Sequence, residues 1–235
     1  MSRSKGHSAT AAAAYRSGER IVCEKHGCIH DYTRRRGVVS ASVVLPNGSA
    51  RLSRRKLWNA AERAERRKNS CVARELMFSL PVELSSDGRR LVVDRMAKHL
   101  AERHGVAVDY AIHAPPEDGD PRNHHAHLLM TTRRLVDGEL TDKTRELDDK
   151  ATGATIVKEW RQLVAELLNR QVALERAAAV HVEHRSFVER GIDREPTIHA
   201  GKHKRLEQGG LKSLFMAAVK MLTHRSRHVR AVLRI

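Results

Sequence analysis

Apolar and polar residues alternate along several stretches of this chain and recur at helical spacing along others. From Val106 to His113, the residues Val106, Val108 and Ile112 alternate with Ala107, Asp109, Ala111 and His113. This is the period-2 pattern of a strand with His113 on its less apolar face. His125 to Thr132 repeats it. Ala126, Leu128 and Met130 fall on one face, and His125, His127, Leu129 and Thr131 on the other, because successive strand side chains point to opposite sides. The linking stretch is rich in Pro, Asp, Gly and Asn, so the two strands read as a hairpin with the end of the first beside the start of the second. Arg74 to Leu80 is a third strand, with Leu76, Phe78 and Leu80 on one face and Glu75, Met77 and Ser79 on the other; Pro81 ends it. Val38 to Leu45 is a fourth, closed by Pro46-Asn47-Gly48.

Helical spacing fills the intervals. Ala11 to Ala14 run into Tyr15, and Gly18 is a natural stop, so Tyr15 falls near the C-terminal end of a short helix. Ile21 to Arg36 reads as a loop. Ser53 to about Lys68 carries Leu57, Ala60, Ala61 and Ala64 on one stripe among Arg and Lys. Ser85 to His104 is a further amphipathic helix, with Ser85 or Ser86 as cap and Gly105 as stop. Thr155 to about Ala179 carries Ile156, Trp160, Leu163, Leu167 and Leu168. The order predicts an α+β fold, a central antiparallel sheet flanked by helices. Leu211 to Ile235 is a basic amphipathic stretch. No internal repeat and no Gly-rich phosphate loop is found, so nothing points to ATP use.

Composition narrows the partner. The 235 residues fit one domain with appendages, and 44 Lys and Arg against 28 Asp and Glu give a formal net charge of +16. Such an excess points first to nucleic acid, and the bland alternative is a solvated basic surface. Only 3% of residues are aromatic, so affinity rests on phosphate contacts and falls with salt, rather than on base stacking. No apolar run is long enough to span a membrane, and the N-terminus lacks the apolar core of a signal peptide, so a cytoplasmic protein is expected. Three cysteines argue against a disulfide framework. Cys23, His26, Cys28 and His30 in CEKHGCIH match the spacing of no common zinc finger, and reduced thiols beside surface histidines are the expectation.

His113, His125 and His127 are the candidate chemistry. Fifteen histidines in this length supply roughly one H-x-H pair by chance, so the pair alone carries little. A third imidazole at the facing end of the hairpin changes that: three nitrogens converge on one point, as an open metal site requires. His124 points to the opposite face and is excluded. His199 and His203, and His181 and His184, have helical spacing but read as exposed side chains.

Five blocks in order then resemble the MobA/MobL family of plasmid mobilisation relaxases: SRSKGHSATAAAAYRSGE, LWNAAERAERRKN, VARELMFSLPVEL, IHAPPEDGDPRNHHAHLLMTTR and EHRSFVERGIDREPTIHAGK. The chain is also similar to the N-terminal part of TraA-type conjugal transfer proteins, without their helicase motifs. The resemblance implies the palm of the histidine-containing relaxase and rolling-circle nucleases over 1–205, with 206–235 as a basic tail. It implies Tyr15 as nucleophile, His113, His125 and His127 as ligands of a divalent metal (Mn²⁺ or Mg²⁺), and Glu75 as the acidic residue beside them. Glu75 is left with two roles: to orient or deprotonate Tyr15, or to steady a histidine. Single-stranded DNA at a transfer origin is the implied substrate. Accessory mobilisation proteins and a type IV secretion coupling protein are the implied partners. Arg3, Lys5, Arg16, Arg34, Arg35, Arg36 and Arg133 are candidate phosphate contacts. Family members usually begin with a short strand of the type AIYH, whereas this chain starts at Met1-Ser2-Arg3. The expectation is therefore a sheet lacking its first strand, and two outcomes stay open: a relaxase that nicks at a transfer origin, or a truncated, inactive DNA-binding remnant of one.

Overall fold

The computed structural model of the chain describes residues 1–194, except 50, 118, 178 and 179, together with 228 and 229. Along the chain come α1 (Ala9–Ser17), β1 (Arg20–Cys23), β2 (Cys28–Asp31), β3 (Val38–Val44), α2 (Arg54–Ala64), β4 (Arg74–Leu80), α3 (Ser86–His104), β5 (Val106–His113), β6 (His124–Val136), β7 (Glu139–Lys143), α4 (Lys150–Leu174) and β8 (His181–Val182). The main sheet is antiparallel, in the order β3-β5-β6-β4, with β7 paired to the far end of β6. This is the expected α+β sheet with helices on both faces.

The period-2 faces decide what covers what. Leu76, Phe78 and Leu80 of β4, Val108 and Ile112 of β5, and Ala126 and Leu128 of β6 pack under α3 and α4, against Val93, Met96, Leu100, Trp160 and Val164. The opposite face lies under α1 and α2. There Ala107 and Leu129 meet Ala12 and Ala13 of α1 and Leu57, Trp58 and Ala61 of α2. Alanines on α1 leave no long side chain between helix and sheet, so the helix backbone comes close. Serines start three of the helices: the hydroxyls of Ser8, Ser53 and Ser85 accept from the amides of Ala11, Lys56 and Gly88, and of these the Ser85 cap is the one expected.

Several boundaries differ from expectation, each for a local reason. The Ile21 to Arg36 loop contains the β1–β2 hairpin, whose four-residue strands are too short and mixed to show alternation. β6 runs past Thr132 to Val136 and turns through Asp137 and Gly138, both at positive φ, into β7; this Asp-Gly turn went unread as a hairpin signal. The helix expected to about Lys68 stops at Ala64: Glu65 turns to an extended backbone, and its buried carboxylate pairs with Arg133 and Lys143. The last helix starts earlier, at Lys150, capped by the Asp149 carboxylate, and ends at Leu174. Met1 to Arg3 run against Ser70 to Ala73, with Val72 N–H donating to the Met1 carbonyl at 2.9 Å. Among the described residues no strand lies outside β4. His199, His203 and the tail at 206–235, apart from 228 and 229, lie outside the described residues.

A buried carboxylate sits inside the α2 face of the sheet. Asp109 of β5 is 5% exposed; it accepts from Arg54 Nε at 2.8 and 3.0 Å and from Trp58 Nε1 at 2.8 Å. It thereby fixes α2 to the central strand. Asp109→Ala would leave the Trp58 N–H unpaired and the Arg54 charge half-compensated, and is expected to cost about 3–5 kcal/mol in urea unfolding.

A candidate metal centre at the end of the sheet

The antiparallel register delivers the three histidines to one place. His113 is paired with His125 across β5 and β6, and His127 lies opposite Ala111, two residues further along the same face. The ring centroids are 5.4 Å apart for His113 and His125, 4.8 Å for His113 and His127, and 5.1 Å for His125 and His127. One nitrogen of each ring lies within 4.8 Å of those of the other two. His124 is not in this group.

Hydrogen bonds fix which nitrogen each ring presents. His113 Nε2 lies 2.7 Å from the Arg16 carbonyl, His125 Nδ1 2.9 Å from the Asn123 carbonyl, and His127 Nδ1 2.6 Å from Glu75 Oε1. Carbonyls and carboxylates only accept, so those three nitrogens carry the protons. The lone pairs are left on His113 Nδ1, His125 Nε2 and His127 Nε2. Burial, the largest influence, pushes His113 down to about 4, only partly opposed by the Arg16 carbonyl; burial likewise lowers His125. Both rings are therefore neutral near pH 7, as ligation demands.

Glu75 reaches the site from β4. Its carboxylate takes both Arg16 Nε at 2.5 Å and Arg16 Nη2 at 2.6 Å, besides His127. Burial works to raise Glu75, but the hydrogen bonds from His127 and Arg16 and the Arg16 charge outweigh it and bring it to about 2. One residue of α1 thus meets the sheet twice. The Arg16 side chain binds Glu75 and its backbone carbonyl binds His113. Gly18 ends the helix at φ 69°, where a Cβ would also press on Val38 at 3.3 Å.

Tyr15 stands on the last turn of α1, 45% exposed, beside the Arg16 that is locked to the centre. Its ring meets Tyr32 edge-on at 5.2 Å. The Arg35 guanidinium lies 3.7 Å over the Tyr15 ring and also donates to the Tyr15 carbonyl; Arg35 Nη2 is 3.4 Å from His113 Nδ1. Sequence reasoning placed Arg35 only among seven candidate phosphate contacts. Its stacking depends on the β1–β2 hairpin, which carries no clear pattern.

The other cations have different surroundings. Arg3 is tied to Glu62 Oε2 at 2.7 Å and to the carbonyls of α2's last turn, and Arg133 to Glu65 at 2.9 Å and the Thr141 carbonyl at 2.7 Å. With Arg16 on Glu75, these three guanidiniums are engaged inside the fold. Lys5, Arg34 and Arg36 are exposed.

Three convergent imidazoles fit a divalent cation and leave coordination positions for oxygen ligands. An all-nitrogen set favours Mn²⁺ or a later metal over Mg²⁺. Glu75→Gln removes the charge that orients His127 and is expected to weaken Mn²⁺ binding about 10- to 100-fold in calorimetric titration. Unchanged affinity would show that Glu75 does not support the centre.

The MobA/MobL family model matches residues 7–208. Mobilization protein MobL of Acidithiobacillus ferridurans is 38% identical over 228 residues, covering 86% of this chain and 60% of that protein. Conjugal transfer protein TraA of Rhizobium radiobacter is 28% identical over 247 residues, covering 90% of this chain and 22% of TraA. The chain thus spans less than two thirds of either relative. A solved structure described as the molecular basis of vancomycin resistance transfer in Staphylococcus aureus superposes with a TM-score of 0.68 at 31% identity, over 79% of this chain and 95% of that one. The matched sequence blocks, the helix-flanked antiparallel sheet and the shared architecture agree, and the chain belongs to the MobA/MobL family.

Proposed function

We propose that this chain is a relaxase that nicks one DNA strand at a transfer origin by tyrosine transesterification, starting conjugative mobilisation. The observation that carries this reading is the double grip of Glu75. It holds Arg16, next to the candidate nucleophile Tyr15, and His127 of the candidate metal centre, so nucleophile and centre are built as one unit.

In this reading the Tyr15 hydroxyl attacks the scissile phosphorus. The P–O3′ bond breaks, the 3′ oxygen leaves and takes up a proton, and the phenol proton is lost to solvent or a nearby base. A 5′-phosphotyrosyl link and a free 3′-hydroxyl result. One phosphoester replaces another, so strand joining can later run in reverse without ATP. Phenols ordinarily hold their proton at neutral pH, so attack needs positive charge at the phosphate. A divalent cation held by His113, His125 and His127 would supply part of it, by neutralising non-bridging oxygens. Arg35 supplies a second charge from over the Tyr15 ring, within reach of an incoming phosphate. Glu75 acts on this proposal as a positioning residue, through His127 and Arg16.

The substrate would be single-stranded DNA at the origin, with exposed Lys5, Arg34 and Arg36 as the candidate contacts to flanking phosphates. Accessory mobilisation proteins and a type IV secretion coupling protein are the partners the reading calls for, in the cytoplasm; among the described residues no helix is long and apolar enough to cross a membrane.

Two substitutions test the reading on supercoiled plasmid carrying the cognate origin with Mn²⁺. Tyr15→Phe should abolish both relaxation and the covalent 5′ adduct on denaturing gels; an adduct that persists assigns the nucleophile elsewhere. Arg35→Ala should slow nicking about 100-fold at saturating Mn²⁺. A normal rate would remove Arg35 from the chemistry.

A further inference from the structure

A second convergence of metal-binding side chains lies on the β1–β2 hairpin. Its register puts Cys23 directly opposite Cys28, at the mouth of the turn formed by residues 24–27. Opposed residues share a face of the ribbon, and His30, two positions beyond Cys28, shares it too. One ligand atom from each of Cys23, Cys28 and His30 lies within 4.8 Å of the other two. Cys28 Sγ and His30 Nε2 are 3.6 Å apart. Zinc–sulfur and zinc–nitrogen bonds of about 2.3 and 2.1 Å at a tetrahedral angle also separate S and N by about 3.6 Å.

We propose that Cys23, Cys28 and His30 form a second cation site, for a thiophilic ion of which Zn²⁺ is the best fit. The spacing matches no common finger because the ligands come from opposite strands of a hairpin, and the register brings them together. His26, in the turn, is not part of the group. Two thiolates and an imidazole select a soft or borderline ion, in contrast to the all-histidine centre beneath α1. The site is held from behind. Asn59 of α2 donates to the Val22 carbonyl and accepts from Glu24 N–H, both at 2.8 Å, bracketing Cys23 on both sides. Cys23 is buried, Cys28 exposed and His30 half-buried, so the three reach from the core to the surface, and a tetrahedral ion would keep one position for water.

The site has a structural consequence. A hairpin of two four-residue strands is marginal by itself. This one leads directly into Tyr32 and Arg35, both packed on Tyr15. An ion joining its two strands would steady the segment that presents Arg35.

Cobalt distinguishes this site from the histidine centre, since only thiolate ligands give an intense sulfur-to-Co²⁺ charge-transfer absorption in the near ultraviolet. Fully reduced, metal-stripped full-length chain is titrated with Co²⁺ and then with Zn²⁺. The absorption should appear in the parent chain and in His125→Ala alike, and Zn²⁺ should displace it. Cys28→Ser, at an exposed position, should remove at least half of it. Both Cys28→Ser and His30→Ala should weaken Zn²⁺ binding by more than the roughly 10-fold that loss of an outer-shell partner costs. Circular dichroism confirms that the variants fold. Absence of the absorption in the parent chain, its survival unchanged in Cys28→Ser, or a Cys23–Cys28 disulfide in chain isolated without reductant would each overturn the proposal.

Discussion

A single carboxylate, that of Glu75, holds the working end of this molecule together. It accepts from Nε and Nη2 along one edge of the Arg16 guanidinium and from Nδ1 of His127, so a strand, a helix and the neighbouring strand meet on two oxygens. A carboxylate three-quarters withdrawn from water would be costly if unpaired. Paired with donors on two sides it stays charged far into the acid range, at about 2. That charge sets the His127 tautomer, and through Arg16 it determines where the last turn of α1 can lie.

The constraint works only because α1 can approach the sheet. Its inward face is Ala9, Ala12 and Ala13, and this thin layer lets the Arg16 backbone carbonyl reach the His113 ring at 2.7 Å. The helix is held at its start as well, where the fully buried Glu62 accepts from Ala9 N–H at 2.6 Å and from Arg3. Asp109 performs the corresponding task for α2, through Arg54 and Trp58. Each buried acid on this face is satisfied by donors from another element, so the polar contacts set the relative placement of helices that apolar packing alone would let slide.

The same economy changes the meaning of the net charge. Arg3, Arg16, Arg54, Arg74 and Arg133 are spent on internal carboxylates. A count of 44 basic residues therefore overstates what is available to a polyanion, and position separates the two groups where composition cannot. Lys5, Arg34 and Arg36 stay exposed, and Arg35 stacks on Tyr15 beside His113.

By itself the sequence determined the alternation of β4, β5 and β6, and with it which of His124, His125 and His127 share a face with His113, because the period of a strand is local geometry. It determined the cap at Ser85 and the stops at Gly18 and Gly105 for the same reason: a hydroxyl reaches an amide three residues on, and a glycine takes positive φ without a partner elsewhere. The β1–β2 hairpin escaped, since its short strands lean on α1 and α2 rather than on their own pattern, and with it escaped the stacking of Arg35 on Tyr15. So did the assignment of Arg16 to Glu75, 59 residues away, and the meeting of Cys23, Cys28 and His30. Only the tertiary structure decided these. They rest on strand pairing and on the distance between a helix and a sheet, and no spacing along the chain encodes either.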